Sequence, residues 1–272
     1  MEIPELAQVV ILAIVQGIAE FLPISSSGHL VAVEAMMGNS SDSTEMSIVL
    51  HFGTLLAILV FYRKRILDLL KEDRRVIPLL VLGTIPAAVI GIYVKKNHEA
   101  VLKNPLLTGF MLVITAFILM ALSKIKPGDK TYPKLTWGPV LIIGIAQAFA
   151  LLPGISRSGT TIVMGALVGL KRQSATTFSF LLAIPAIGGA SLLEAKDILE
   201  NGASTPIWLL AIGAIVAFLV GLVALGWLVK WIEQGRLHWF SYWLLPFGFF
   251  MIVWQTYEYL KDAGVVTAML GN

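Results

Sequence analysis

Between residues 46 and 259 the chain returns six times to an apolar stretch of roughly the length that crosses a bilayer: 46–62, 76–94, 106–123, 176–194, 206–229 and 239–259. A helix rises about 1.5 Å per residue, so about 20 apolar residues cover the roughly 30 Å of hydrocarbon. Composition agrees: 57% of residues are hydrophobic and 14% charged, against about 45–50% and about 25% in soluble domains, with a mean hydropathy of +0.83. The expectation is an all-α polytopic membrane protein forming one membrane domain over residues 1–272. The first residues lack a basic segment and a small-residue cleavage site, so a cleaved signal peptide is not expected. Cysteine is absent, which excludes disulfides, a thiolate nucleophile and a Cys-ligated metal. The net charge of +3 says little by itself, because in a membrane protein the placement of Lys and Arg carries more information than their sum; no nucleic-acid partner is expected.

Two further apolar regions, 6–37 and 136–170, are each broken midway, by LPISSSGH at 22–29 and LPGISRSG at 152–159. Irregular backbone at membrane depth is tolerated only where protein buries it or it lines a watery cavity. Both regions are therefore read as re-entrant helical hairpins. With 63–75, 124–134, 171–172 and 230–238 on one side, fourteen Lys and Arg lie there and five on the other, leaving only Arg157 at a hairpin tip. The positive-inside rule makes the richer side cytoplasmic and places both termini outside. The basic 63–75 segment is expected to rest on anionic headgroups.

The two breaks resemble each other. ISSSG at 24–28 and ISRSG at 155–159 agree at four of five positions, and FGTLLAI at 52–58 agrees with FSFLLAI at 178–184 at five of seven. The order and the near-equal spacing point to a duplication with halves at about 1–125 and 135–262. One hairpin plus three spans per half is an odd number of crossings, so the second half is inverted. Inverted-topology repeats build sites near mid-membrane, between broken helices, where Glu20 and His29 would face Arg157.

An ionisable group inside a bilayer costs at least about 2.5–3.5 kcal/mol and is a functional candidate by default. Glu20, His29 and Arg157 are the ionisable residues well inside the apolar regions. His51, at the start of a span, reads as a satisfied interfacial side chain, and Glu34 as interfacial. Around Arg157, the residues Gly154, Ser156, Ser158, Thr160 and Thr161 surround a break expected to start a helix, whose free N–H groups suit an anion. Arginine adds a planar fork for phosphate or carboxylate. Ser25, Ser26 and Ser27 supply hydroxyls, one a nucleophile if His29 removes its proton. Gln16 and Glu20 share a helix face, and their oxygens suit Mg2+ or Ca2+ bridged to a phosphate. Single serines more often serve close helix packing, and Glu20 could simply pair with Arg157. The whole set on two opposed breaks is harder to explain as packing.

QGIAEFLPISSSGH and PGISRSGTT resemble the two motifs of the undecaprenyl-diphosphatase family, bacterial membrane phosphatases of the bacitracin-resistance type. The first is carried by Gln16, Glu20, Ser25, Ser26, Gly28 and His29, the second by Pro153, Gly154, Ser156, Arg157, Ser158 and Thr161. The resemblance extends along nearly the whole chain, and Gln16 stands where many members have Glu. It implies six spanning helices plus re-entrant ones in the bacterial inner membrane, and a site opening towards the outer leaflet. It also implies a polyprenyl diphosphate substrate and a divalent cation, Mg2+ or Ca2+. Membrane lipids are the other expected partners, with a homodimer as a candidate assembly.

On that basis Arg157, Ser25, Ser27, Ser156, Ser158 and Thr161 would hold phosphate oxygens, while Glu20 with Gln16 would hold the metal. Ser26 with His29 as base is the first choice of attacking group; His29 itself and a water activated by Glu20 are the alternatives. A flippase or anion carrier could use the same mid-membrane site, although a carrier has no need of a base beside the serines.

Overall fold

The computed structural model describes residues 4–37, 44–126, 128–201 and 205–263. The two termini, expected outside, and part of the 195–205 loop fall outside these residues. The described chain is helical apart from short links and one isolated backbone bridge, between Lys130 and Leu170.

The helices are α1 (Glu5–Ala19), α2 (Ser26–Met36), α3 (Thr44–Phe61), α4 (Arg63–Lys71), α5 (Val76–Asn97), α6 (Glu99–Leu102) and α7 (Pro105–Lys124), followed by α8 (Trp137–Phe149), α9 (Arg157–Leu167), α10 (Arg172–Asn201), α11 (Ile207–Glu233) and α12 (Ser241–Asp262). Among the described residues, five segments are long and apolar enough to cross a membrane: α5, α7, the Arg172–Leu193 part of α10, α11, and α12 with the short turn before it. The sixth expected span, α3, meets that standard only together with α4, from which it is bent by 68°. The bend follows the change in sequence. The apolar run ends at Phe61, and RKRILDLLK then winds a short helix with Leu69 buried and its basic side chains exposed.

The long helices carry large apolar side chains on their outer faces, among them Val89 at 63% exposed and Val223 at 74%. Charged faces would stand there in a soluble bundle, so these surfaces suit lipid. The core is built from side chains such as Phe21, Ile58, Leu112, Phe178 and Leu181, all nearly or fully buried. Glycines allow close helix approach, as two of them show. A Cβ on Gly53 of α3 would stand 2.4 Å from the Ala214 carbonyl oxygen of α11, and one on Gly144 of α8 would stand 2.6 Å from the Gly83 oxygen of α5. The packing is also exchanged between the halves of the chain: α1 lies on α11, and α8 on α5.

Candidate active site

Each interrupted region is a short helix, a break and a second short helix that packs back on the first: α1 with α2, and α8 with α9. After α1 the chain turns through Pro23 and reaches Ser25 at φ +70°, a conformation that costs a non-glycine residue about 1–3 kcal/mol. The Ser25 hydroxyl then caps α2 by accepting from the Gly28 N–H at 3.4 Å. In the second break the positive φ falls on Gly154, at +96°, where a Cβ would meet the Thr108 oxygen at 2.4 Å. Ser156 caps α9 by accepting from the Gly159 N–H at 3.1 Å. Thr115 of α7 secures this break from outside, donating to the Gly154 oxygen at 2.8 Å and accepting from the Ser156 N–H at 3.1 Å.

The breaks touch. A Cβ on Gly28 would lie 3.2 Å from the Gly154 Cα, and one on Gly159 would lie 3.1 Å from the Pro23 Cβ. With ISSSG laid on ISRSG, Gly28 corresponds to Gly159 and Pro23 to Gly154, so each contact is the other with the halves exchanged.

Glu20 stands where the two breaks meet. Its Oε1 accepts from Arg157 Nη2 at 2.6 Å, and its Oε2 accepts from Ser26 Oγ at 2.7 Å and from Gln16 Nε2 at 3.1 Å. His51 Nε2 lies 3.7 Å from the same Oε2, with its Nδ1 2.7 Å from the Ser47 oxygen, to which it donates. The carboxylate is therefore compensated on both oxygens, as a group so deeply buried requires. Beside it opens a cavity of about 390 Å3 with Glu20, Ser26, His51, Gln147 and Arg157 in its wall. Leu102, Leu151 and Ile187 line its apolar part. A wall that combines charged and hydroxyl groups with apolar side chains suits a ligand with a charged head and a greasy tail.

The expected residues divide into two groups. Ser25, Ser26, Ser27, Ser156, Glu20 and Arg157 line the cavity; Gln16, His29, Ser158 and Thr161 are not in its wall. Thr161 donates to the Arg157 oxygen at 2.8 Å and shares a 2.6 Å hydrogen bond with Ser179 of α10, while Ser158 pairs with Ser156 at 3.2 Å. These two hydroxyls brace the second break from behind. Nor does His29 hydrogen-bond to Ser26. Its Nε2 accepts from the Trp243 indole N–H at 2.9 Å, so its Nδ1, 2.9 Å from the Ser25 oxygen, carries the proton and donates there. Phe247 stacks on the ring at 4.6 Å. Both ring nitrogens are engaged, and the serine that was to be deprotonated by His29 donates to Glu20.

Gln16 and Glu20, as arranged, do not offer one cation two oxygens. The Gln16 amide turns its nitrogen to the carboxylate, and its own oxygen is buried without a protein partner. Among the described residues no three His, Asp or Glu side chains gather at a metal site.

Sequence reasoning gave no site role to three residues. His51, read as an interfacial side chain, sits in the cavity wall; Thr115 was one polar residue in an apolar span. Gln147 could have been found, because it stands 131 residues after Gln16, the same spacing as the two breaks.

Residues 9–250 match the sequence model of the family described as Bacitracin resistance protein BacA. The chain is 55% identical over 251 residues to the undecaprenyl-diphosphatase of Rhodopirellula baltica, covering 92% of this chain and 98% of that one. It is 38% identical to the undecaprenyl-diphosphatase of Halothermothrix orenii, again over 92% and 98% of the two chains. With that of Corynebacterium glutamicum the identity is 35%, over 90% and 89%. A family match across most of the chain means that the protein belongs to the BacA family of undecaprenyl-diphosphatases.

Proposed function

We propose that the protein hydrolyses undecaprenyl diphosphate to undecaprenyl phosphate and inorganic phosphate at the junction of the two breaks, recycling the lipid carrier of cell-wall synthesis. The observation that carries this reading is the convergence on Glu20 of a guanidinium from one break and a serine hydroxyl from the other, beside a half-apolar cavity. The diphosphate lies in the polar end against Arg157, with Ser25, Ser27 and Ser156 around it, and the prenyl tail leaves along the apolar wall. Arg157 stabilises the charge that develops on the phosphoryl oxygens.

Ser26 is the attacking group. Its Oγ bonds to the terminal phosphorus, its proton passes to Glu20 Oε2, and the bridging P–O bond breaks with its electron pair leaving on the lipid phosphate. Water then attacks the phosphoserine, Ser26 Oγ recovers its proton from Glu20, and both water hydrogens depart on the inorganic phosphate. His29 serves differently, pinning the Ser25 carbonyl and the start of α2 against α12.

The finer architecture belongs to the same proposal: six spans, two re-entrant hairpins, and two halves in inverted repeat. The exchanged contacts Gly28–Gly154 and Gly159–Pro23, together with α1 on α11 and α8 on α5, support it. Leu102 in the cavity wall adjoins Lys103, on the sparsely charged side, so the site faces the outer side of the bacterial inner membrane. Gln16 and Glu20 as arranged do not form a cation site, so Mg2+ or Ca2+ would be held chiefly by the diphosphate itself, where it would neutralise phosphate charge. Chelation should therefore abolish turnover without lowering the melting temperature of the free protein.

The test is release of inorganic phosphate from undecaprenyl diphosphate by purified protein in detergent. Wild type should release it; Arg157→Ala and Ser26→Ala should each lose about 10²–10⁴-fold, the usual range for removing a charge-stabilising or acid–base partner. Phosphate release by Ser26→Ala at the wild-type rate would exclude this serine as nucleophile.

A further inference from the structure

Gln147 is the least explained polar group in the cavity wall. It is 2% exposed and sits on the last turn of α8, as Gln16 sits near the end of α1. The residue four places on, Glu20 in the first half, is Leu151 in the second. Gln147 therefore has no carboxylate to bind. Its Nε2 donates instead to the Gly83 oxygen of α5 at 3.3 Å, which the side-chain-free Gly144 lets α8 approach. That bond fixes the amide, since turning it over would set two oxygens against each other. Oε1 is left buried with no protein partner, which is unfavourable if nothing donates to it.

Apart from Glu20, whose charge Arg157 compensates, the serines and Arg157 around the cavity suit an anion. Arg157 has an unpartnered Nη1, and the serines are hydroxyls. A buried acceptor does not suit a fully ionised phosphate oxygen; it suits something that carries a hydrogen. The hydrolytic reaction brings one such species to this place, the attacking water.

Resting on the phosphatase reading above, we infer that Gln147 is a further catalytic residue, whose Oε1 accepts a hydrogen bond from the hydrolytic water and aims the water's oxygen at the phosphorus. One water hydrogen lies on Gln147, the other on a phosphoryl oxygen. The new P–O bond forms as the Ser26 Oγ–P bond breaks, and both hydrogens leave on the inorganic phosphate. An alcohol attacking in place of water has one O–H, which goes to the phosphoryl oxygen and leaves none for Gln147. Gln147 therefore assists water and not an alcohol.

The test compares wild type with Gln147→Met, which keeps the length and packing of the side chain, and with Gln147→Leu in case either variant folds poorly. Each is given undecaprenyl diphosphate with added methanol, and inorganic and methyl phosphate are measured separately. Misplacing a reactant by about 1 Å can cost about 10²-fold. Phosphate release should fall by about that factor with KM little changed, while methyl phosphate formation should not, so their ratio shifts about 10²-fold towards methyl phosphate. A parallel fall of both products at constant ratio would mean that Gln147 only supports the fold or binds substrate, and would overturn the inference. So would undiminished phosphate release. Wild-type protein that releases no phosphate would instead remove the phosphatase reading, and this inference with it.

Discussion

The two oxygens of Glu20 are divided between the halves of the chain. Oε1 faces Arg157 of the second break, and Oε2 faces Ser26 and Gln16 of the first. An exposed ion pair contributes little, but in a buried one the loss of a single partner strands the other charge, at about 3–5 kcal/mol. Here the side chains of Arg157 and Glu20 are 16% and 7% exposed. Arg157→Leu should therefore lower the melting temperature as well as activity. Adding Glu20→Gln should restore much of the stability and none of the activity, because the stranded charge is gone but the site is still lost. Thermal unfolding of the two single variants and the double variant checks this: strictly additive losses would show that the pair is not coupled. At this scale the sequence singled out Glu20, His29 and Arg157 by their cost in lipid, and Ser26 by its place in the first break. It placed His29 in the site and read His51 as an interfacial side chain, whereas packing decides which imidazole faces the carboxylate, and that is His51. His29 is enclosed by Trp243 and Phe247 of α12, more than 200 residues away in sequence.

Helices in this fold approach where a glycine removes the obstacle. Gly53 and Gly144 each face a backbone carbonyl oxygen, at 2.4 and 2.6 Å from an added Cβ, whereas a Cβ on Gly138 of α8 would meet nothing within 4 Å. Backbone yields less readily than a side-chain end, and overpacking a close contact costs about 1–3 kcal/mol. Gly53→Ala and Gly144→Ala should thus lower the melting temperature, while Gly138→Ala should leave it unchanged or raise it slightly through helix propensity. Gly144→Ala should also reduce turnover, since it pushes Gln147 away from the Gly83 oxygen. Equal melting temperatures for all three variants would contradict this account of the packing. The spans themselves were legible to within a few residues: 76–94 became Val76–Asn97 and 106–123 became Pro105–Lys124. The bend after Phe61 was not, because a basic segment at a membrane surface is equally compatible with a loop and with a helix lying flat.

For the molecule as a whole, the absence of cysteine makes topology directly measurable. Single cysteines replacing Lys64, on α4, and Lys103, beside the cavity, should react with membrane-impermeant maleimide from opposite faces of intact vesicles. Labelling of both from the same face would undo the placement of the site. The apolar runs, the polar breaks within them and the distribution of Lys and Arg are local properties, each imposed by the free energy of moving a side chain or an unpaired backbone group between water and lipid. They determined the class of the protein, its approximate spans and the residues worth suspecting, and the repeated ISxSG indicated that two breaks work together. Only the folded chain decided that Ser26 turns to Glu20, that Ser158 and Thr161 stay out of the cavity wall, and that His51 and Gln147 line it. Those outcomes depend on side-chain direction and on which distant helix closes each gap, and close packing settles both only when all the helices are in place.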